Sequence, residues 1–123
     1  KINTNNIIAH NNIGIIFLKL GELQKSKKFF ENTTKLNSKY LKGYINLGTV
    51  HKKLKENNKA LSYYKKAVEI NPNNSTIQND LGVIFQELGD YQKAKDCYEK
   101  AINIDPSFSK AYCNLAVALK VLG

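Results

Sequence analysis

The sequence contains no arginine: all 19 of its basic residues are lysine. It has only two cysteines, Cys97 and Cys113, and two histidines, His10 and His51. So few metal-ligating side chains make neither a disulfide framework nor a zinc site, and two reduced thiols in an intracellular protein is the simplest reading. No run approaches the roughly 18 consecutive apolar residues of a membrane-spanning helix, so no span is expected. The opening residues lack the apolar block of a secretory leader, because Ile7 and Ile8 are followed at once by His10, Asn11 and Asn12. An intracellular location, cytoplasmic or nuclear, is the expectation. No Gly-rich phosphate loop and no nucleophile elbow occurs.

What is plentiful is lysine and asparagine. The net charge is +9 over 123 residues, which by itself suggests an acidic ligand or nucleic acid. Yet an AT-rich genome would favour lysine and asparagine codons without selection for any partner. Bidentate recognition of bases and phosphates also prefers arginine's planar fork. The diffuse lysine charge is therefore read as a solvated surface, and nucleic acid is disfavoured as a partner.

Self-comparison decides the architecture. Gly48 and Gly82 stand 34 residues apart, as do Ala60 and Ala94, Tyr64 and Tyr98, Ala67 and Ala101, and Pro72 and Pro106. Two columns, Ile13-Leu47-Leu81-Leu115 and Leu20-Leu54-Leu88-Leu122, run through the whole chain at that spacing. A period of this length marks a stack of supersecondary units. Each unit reads as two amphipathic helices. In the third, Ile77, Leu81, Ile84, Phe85 and Leu88 recur at helical spacing until Gly89-Asp90 breaks the pattern. Gly89 suits the left-handed residue that ends a helix, and Asp90 can cap the next. Ala94, Tyr98, Ala101 and Ile104 continue until Asp105-Pro106, after which Ser107 and Ser109 offer capping hydroxyls. In the second unit Lys55 stands where the turn glycine belongs, at a cost of about 1 kcal/mol if the left-handed geometry is kept.

Tyr44, Leu47, Gly48, His51, Ala60, Tyr64, Ala67 and Pro72 in one unit, and Gln78, Leu81, Gly82, Phe85, Ala94, Tyr98, Ala101 and Pro106 in the next, resemble the tetratricopeptide repeat signature. The resemblance implies an all-α fold, a right-handed superhelical solenoid of antiparallel helix pairs. Three full repeats are expected at 7–40, 41–74 and 75–108, with the first helix of a truncated fourth at 109–122. The first repeat departs from the signature, since Ser26, Thr33 and Ser38 replace alanine, alanine and proline. The last helix, with Ala111, Leu115, Val117, Leu119, Val121 and Leu122, is too apolar for a solvent-facing cap. It is expected to continue into a longer array or to pair with another copy of the chain.

No catalytic constellation emerges. His10 and His51 fall in different columns of the repeat, and His51 occupies a packing position. Cys97 adjoins Tyr98 on a second helix, where packing is the default. The segment is therefore read as non-enzymatic and in need of no cofactor. In this family the first helix of each unit lines a concave groove, so the resemblance directs attention to the columns there. Asn12, Asn46, Asp80 and Asn114 form one. Asparagine is a poor residue for a helix interior, while its amide offers a donor and an acceptor that can pair with any peptide backbone. Chance placement among 16 asparagines is the competing explanation. Lys42 and Lys110 flank this column, and Asn11 and Asn79 precede it. Counting the flanking columns with Lys52, Lys120, Lys19 and Lys53 against Asp80 and Glu87 makes the surface modestly basic, over a floor of Ile15, Thr49, Val83 and Val117. The expected partner is a protein or extended peptide, with acidic side chains suited to the lysines, held by Asn12, Asn46, Asp80, Asn114, Lys42, Lys110, Asn11 and Asn79. Self-association through the terminal helix or outer faces is the alternative.

Two subfamilies are tested residue by residue. Chaperone-adaptor repeats clamp an acidic carboxy-terminus with a lysine and asparagines on successive first helices and two basic residues on the third. Those places hold Asn11, Ile15, Asn46, Thr76 and Asp80, so only Asn46 matches. Gly43-Tyr44-Ile45-Asn46-Leu47-Gly48 and Ala111-Tyr112-Cys113-Asn114-Leu115 look instead like the repeat arm of O-linked N-acetylglucosamine transferases, which carries an asparagine ladder. Asp80 breaks that ladder. The resemblance implies that catalysis would belong to a domain outside these residues.

Overall fold

A computed structural model of the chain describes residues 3–123. Seven α-helices and no strand are found among the described residues: α1 (Thr4–Lys19), α2 (Leu23–Leu36), α3 (Leu41–Lys53), α4 (Asn57–Ile70), α5 (Ser75–Glu87), α6 (Tyr91–Ile104) and α7 (Ser109–Leu122). None is long and apolar enough to cross a membrane. The helices fall into two compact units that meet at Tyr63 and Tyr64, within α4.

The turns show why the helices stop where they do. After α1 the Gly21 N–H donates to the Leu18 carbonyl and the Glu22 N–H to that of Phe17, with Gly21 left-handed at φ 78°. This is the paired pattern that ends a helix through one left-handed residue. It recurs after α3, where Lys55 takes φ 63°, and after α5, where Gly89 takes φ 84°. Lys55 thus keeps the left-handed geometry despite its Cβ. The other turns use a side chain: Asn37, Asn71 and Asp105 each accept from the backbone N–H two residues on, at 3.0, 3.2 and 3.1 Å. An Asx side chain closes a turn in this way without help from proline, which explains how Ser38 can stand in place of Pro72 and Pro106.

One of the two expected caps is made and the other is not. Asp90 does cap α6, accepting from the Lys93 N–H at 3.1 Å. Ser107 and Ser109 do not cap α7: its N-cap is Phe108, and the Ser107 hydroxyl donates to Asp105 at 2.7 Å. The Asp105 carboxylate, already turned into the bend, is the stronger acceptor and claims the hydroxyl. At the other end Asn3 accepts from the Asn6 N–H at 3.2 Å, which starts α1 at Thr4.

In the first unit, α1 and α2 cross closely at Gly14, where a Cβ would lie 2.5 Å from Phe30 Cε1. Phe30 is fully buried and packs with Leu47 and Val50, bordered by Ile15, Leu18, Leu23, Leu54 and Tyr63. The polar replacements in this repeat are satisfied where they are buried. Ser26 donates to the Gly14 carbonyl at 2.8 Å, and Thr33 to the Phe30 carbonyl at 2.6 Å. A buried hydroxyl costs little once it is hydrogen-bonded, so these serines and threonines serve as polar substitutes for alanine. The second unit repeats the crossing with Tyr98, which is fully buried opposite Gly82 and donates its hydroxyl to Gln86 Oε1 at 3.0 Å. Ile77, Leu81, Ile84, Ala94 and Ala101 complete that core.

Candidate functional site

The first helices of the repeats are α1 and α3 in the first unit and α5 and α7 in the second. Each pair is joined by an asparagine bridge. Asn46 on α3 donates its Nδ2 to Asn11 Oδ1 on α1 at 2.8 Å. Asn114 on α7 donates to Asn79 Oδ1 on α5 at 3.0 Å. Both bridges join residues 35 apart, so they are the same bond made twice.

The two members of each bridge differ in access. Asn11 and Asn79 are buried, at 5% and 2% exposure, whereas Asn46 and Asn114 are half-buried. Asn11 and Asn79, expected from the sequence among the peptide contacts, thus lie beneath Asn46 and Asn114 with their Oδ1 atoms already bonded. A buried amide needs an internal partner, and these two find one in the asparagine of the next repeat. Their effect is to orient Asn46 and Asn114. Each oriented amide still has its carbonyl and a second N–H, enough to accept from and donate to a peptide backbone. An amide already pinned loses less freedom when it binds.

Around these bridges the charge follows the columns. In the first unit Asn12, Lys42 and Lys53 are exposed and Lys52 is half-buried. In the second, Lys110 and Lys120 are exposed, as is Glu87, while Asp80 is half-buried on α5. Gln86, read from sequence as part of a flanking column, is used internally as the acceptor for Tyr98. Of the floor residues Ile15, Thr49 and Val83 are half-buried, and Val117 is exposed. The first unit is thus uniformly basic here and the second is mixed.

His51 is buried at 3% exposure, stacked on Tyr63 with ring centroids 5.2 Å apart, and its Nδ1–H donates to Glu56 Oε1 at 3.0 Å. That hydrogen bond holds the Glu56 carboxyl below the usual carboxylate range. His51 is a packing residue with a satisfied ring nitrogen. Burial pushes the Cys97 thiol up to about 11, which keeps it protonated and poorly nucleophilic at neutral pH. Cys113 is exposed on α7. Among the described residues no group of three or more His, Cys, Asp or Glu is placed to hold a metal.

Two clefts lie away from the asparagine bridges. One, of about 320 Å³ in the first unit, is lined by Lys27, Glu31, His51, Lys59, Ser62 and Tyr63. The other, of about 190 Å³ in the second unit, opens beside Phe85 and Cys97. Sequence reasoning passed over the second. Its signal was a column that holds aromatic rings at Phe29 and Tyr63 and then a cysteine at 97.

Three family models described as tetratricopeptide repeat match the chain, over residues 7–40, 41–107 and 97–123. Among solved structures, the crystal structure of MamA superposes with a TM-score of 0.90 at 23% identity, covering 98% of this chain and 71% of that one. The first TPR of Spaghetti (RPAP3), bound to the HSP90 peptide SRMEEVD, superposes with a TM-score of 0.94 at 17% identity, covering 98% of this chain and 96% of that one. At such identities these structures show the fold, an all-α helical repeat. No curated protein sequence matches the chain.

Proposed function

The chain belongs to the tetratricopeptide repeat family, and from that premise we propose that it holds an extended segment of a partner protein by its backbone. In the first unit the station would be the half-exposed amide of Asn46, with Asn12 beside it; in the second unit, taken by itself, it would be that of Asn114. The observation that carries the reading is the repeated bridge, Asn46 to Asn11 and Asn114 to Asn79. Two asparagines per unit, one of them buried, give the exposed amide a fixed direction. Codon bias would scatter asparagine through the chain but would not pair it twice in equivalent places. Lys42 and Lys110, both exposed, favour a segment with acidic side chains near those stations.

The similar Spaghetti repeat domain is bound to a peptide, which supports a peptide as the class of ligand. An acidic chaperone tail is not the one we propose. Of the clamp positions Asn11, Ile15, Asn46, Thr76 and Asp80, only Asn46 carries the matching residue, and Asp80 stands where a basic side chain belongs. The paired asparagines fit better the substrate-recognition arm of an O-linked N-acetylglucosamine transferase, with catalysis outside these residues, in an intracellular setting. A second reading, assembly with another copy through the terminal helix, is favoured by the exposure of Tyr112, Val117, Leu119, Val121 and Leu122 on α7.

The test is selection from a displayed library of random peptides, run on wild type and on a folded Asn12→Ala/Asn46→Ala/Asn114→Ala variant. Wild type is expected to enrich extended, acidic peptides that the variant fails to retain. Equal enrichment by both proteins refutes the asparagine stations, and no enrichment with concentration-dependent dimerisation moves the weight to assembly.

A further inference from the structure

The column at 29, 63 and 97 holds a ring twice and a thiol once. Phe29 stacks on Phe17 with centroids 5.6 Å apart and lies 5.6 Å from the His10 ring. Tyr63 does the same one repeat later, 5.2 Å from His51 and 6.5 Å from Tyr44. In each case the ring sits against the same two columns of the preceding first helix. In the third repeat those columns present Gln78 and Phe85, and the residue facing them is Cys97. The ring is missing, and a cleft of about 190 Å³ stands beside the shortened side chain.

The cleft is suited to what it lacks. Val68, Gln78, Leu81, Phe85 and Cys97 line its inner part, where a protonated thiol behaves as a small apolar group. Its volume exceeds the roughly 150 Å³ of a protein cavity known to take benzene. The solvent side is basic, since Lys65, Lys93 and Lys100 outnumber Asp90 and Asp96. The ammonium groups of Lys65 and Lys93 also lie 5.8 and 5.6 Å from the Phe85 ring centre. The Lys93–Asp90 pair at 3.7 Å is exposed and leaves that lysine free to move. Gln78, Leu81 and Phe85 form a face of α5 distinct from Asn79 and Asp80, so the cleft is independent of the asparagine stations.

We propose that this cleft receives an aromatic side chain from an acidic segment of a protein partner. The inserted ring takes the place that Phe29 and Tyr63 fill in the earlier repeats, against Phe85, and neighbouring carboxylates meet Lys93 and Lys100. A stacked ring gains both buried area and the directional preference of aromatic pairs. The basic edge rejects segments whose flanking charges are positive.

The experiment is an amide-resolved NMR titration with phenylacetate, which joins a ring to a carboxylate, alongside acetate and phenethylamine. Phenylacetate is expected to give saturable shifts at Gln78, Leu81, Phe85 and Cys97 with a dissociation constant of about 1 mM. Acetate should leave those amides unmoved, and phenethylamine should bind several-fold more weakly. Cys97→Phe restores the residue type of the other repeats and should abolish the shifts, while Cys97→Ala keeps the cleft open and should preserve them. Absent or unsaturable shifts, or shifts that survive in Cys97→Phe, overturn the proposal. Should Cys97→Phe fail to fold, the surface variant Lys93→Glu/Lys100→Glu decides: the preference must swing from phenylacetate to phenethylamine, and an unchanged preference overturns it.

Discussion

Gly82→Ala isolates the helix crossing on which the second unit depends. A Cβ at Gly82 would lie 2.5 Å from Tyr98 Cε1, 2.8 Å from Cδ1 and 3.1 Å from Cζ. Tyr98 cannot easily withdraw, because it is fully buried and its hydroxyl is held by Gln86. Overpacking of this kind costs about 1–3 kcal/mol, and so close an approach to a fixed ring belongs at the upper end. Alanine meanwhile recovers about 1 kcal/mol of helix propensity over glycine. The net loss should be about 2 kcal/mol, or roughly 6–10 °C in Tm for a chain of this size. Urea unfolding of the single variant, of Tyr98→Leu and of the double variant measures the coupling. With the ring removed the steric cost disappears, so Gly82→Ala in the Tyr98→Leu background should be neutral or stabilising. A loss below about 0.5 kcal/mol in wild type, or the same loss in both backgrounds, would refute the reasoning.

Lys55→Gly removes a Cβ from the one non-glycine residue found at positive φ among the described residues. It should raise stability by about 0.5–1 kcal/mol in urea unfolding, somewhat less than the strain relieved because glycine also frees the unfolded chain. Cys113 is exposed and Cys97 buried, so a thiol reagent at pH 8 should label one cysteine quickly and the second only on unfolding. Alkaline conditions should destabilise the second unit, as followed by thermal melts against pH. Burial pushes Cys97 from 9.0 up to about 11 and Tyr98 from 10.0 up to about 12. Both groups are neutral in the fold and ionise earlier when unfolded. Their contribution is therefore complete below pH 9 and is lost as pH rises through about 11 to 12.

Much of this protein follows from a 34-residue period alone. Spacing of apolar residues placed the helices, because a helix must turn one face inward and the same face recurs in every repeat. Glycine at 89 announced a left-handed turn, and the period carried that geometry onto Lys55 even though lysine resists it. His51 could be read as a packing residue from its column. The Ser26 and Thr33 departures were visible too, but their acceptors, the Gly14 and Phe30 carbonyls, were not.

A period assigns each residue to a column without saying which neighbour its polar atoms will reach. The choice between Asn11 and Asn12 as the buried member, or between Asn79 and Asp80, depends on how far one first helix is rotated and shifted against the next. Only packing settles that, and it buries Asn11 and Asn79 with their Oδ1 atoms bonded to Asn46 and Asn114. Ser107 likewise had two possible partners, a helix end and the Asp105 carboxylate, and the geometry of the turn chose. The cleft at Cys97 is the clearest case. Sequence records a small residue in a column of rings, but whether the surrounding side chains collapse into the gap or leave it open is decided by their packing, and here a space remains between Phe85, Leu81 and Cys97.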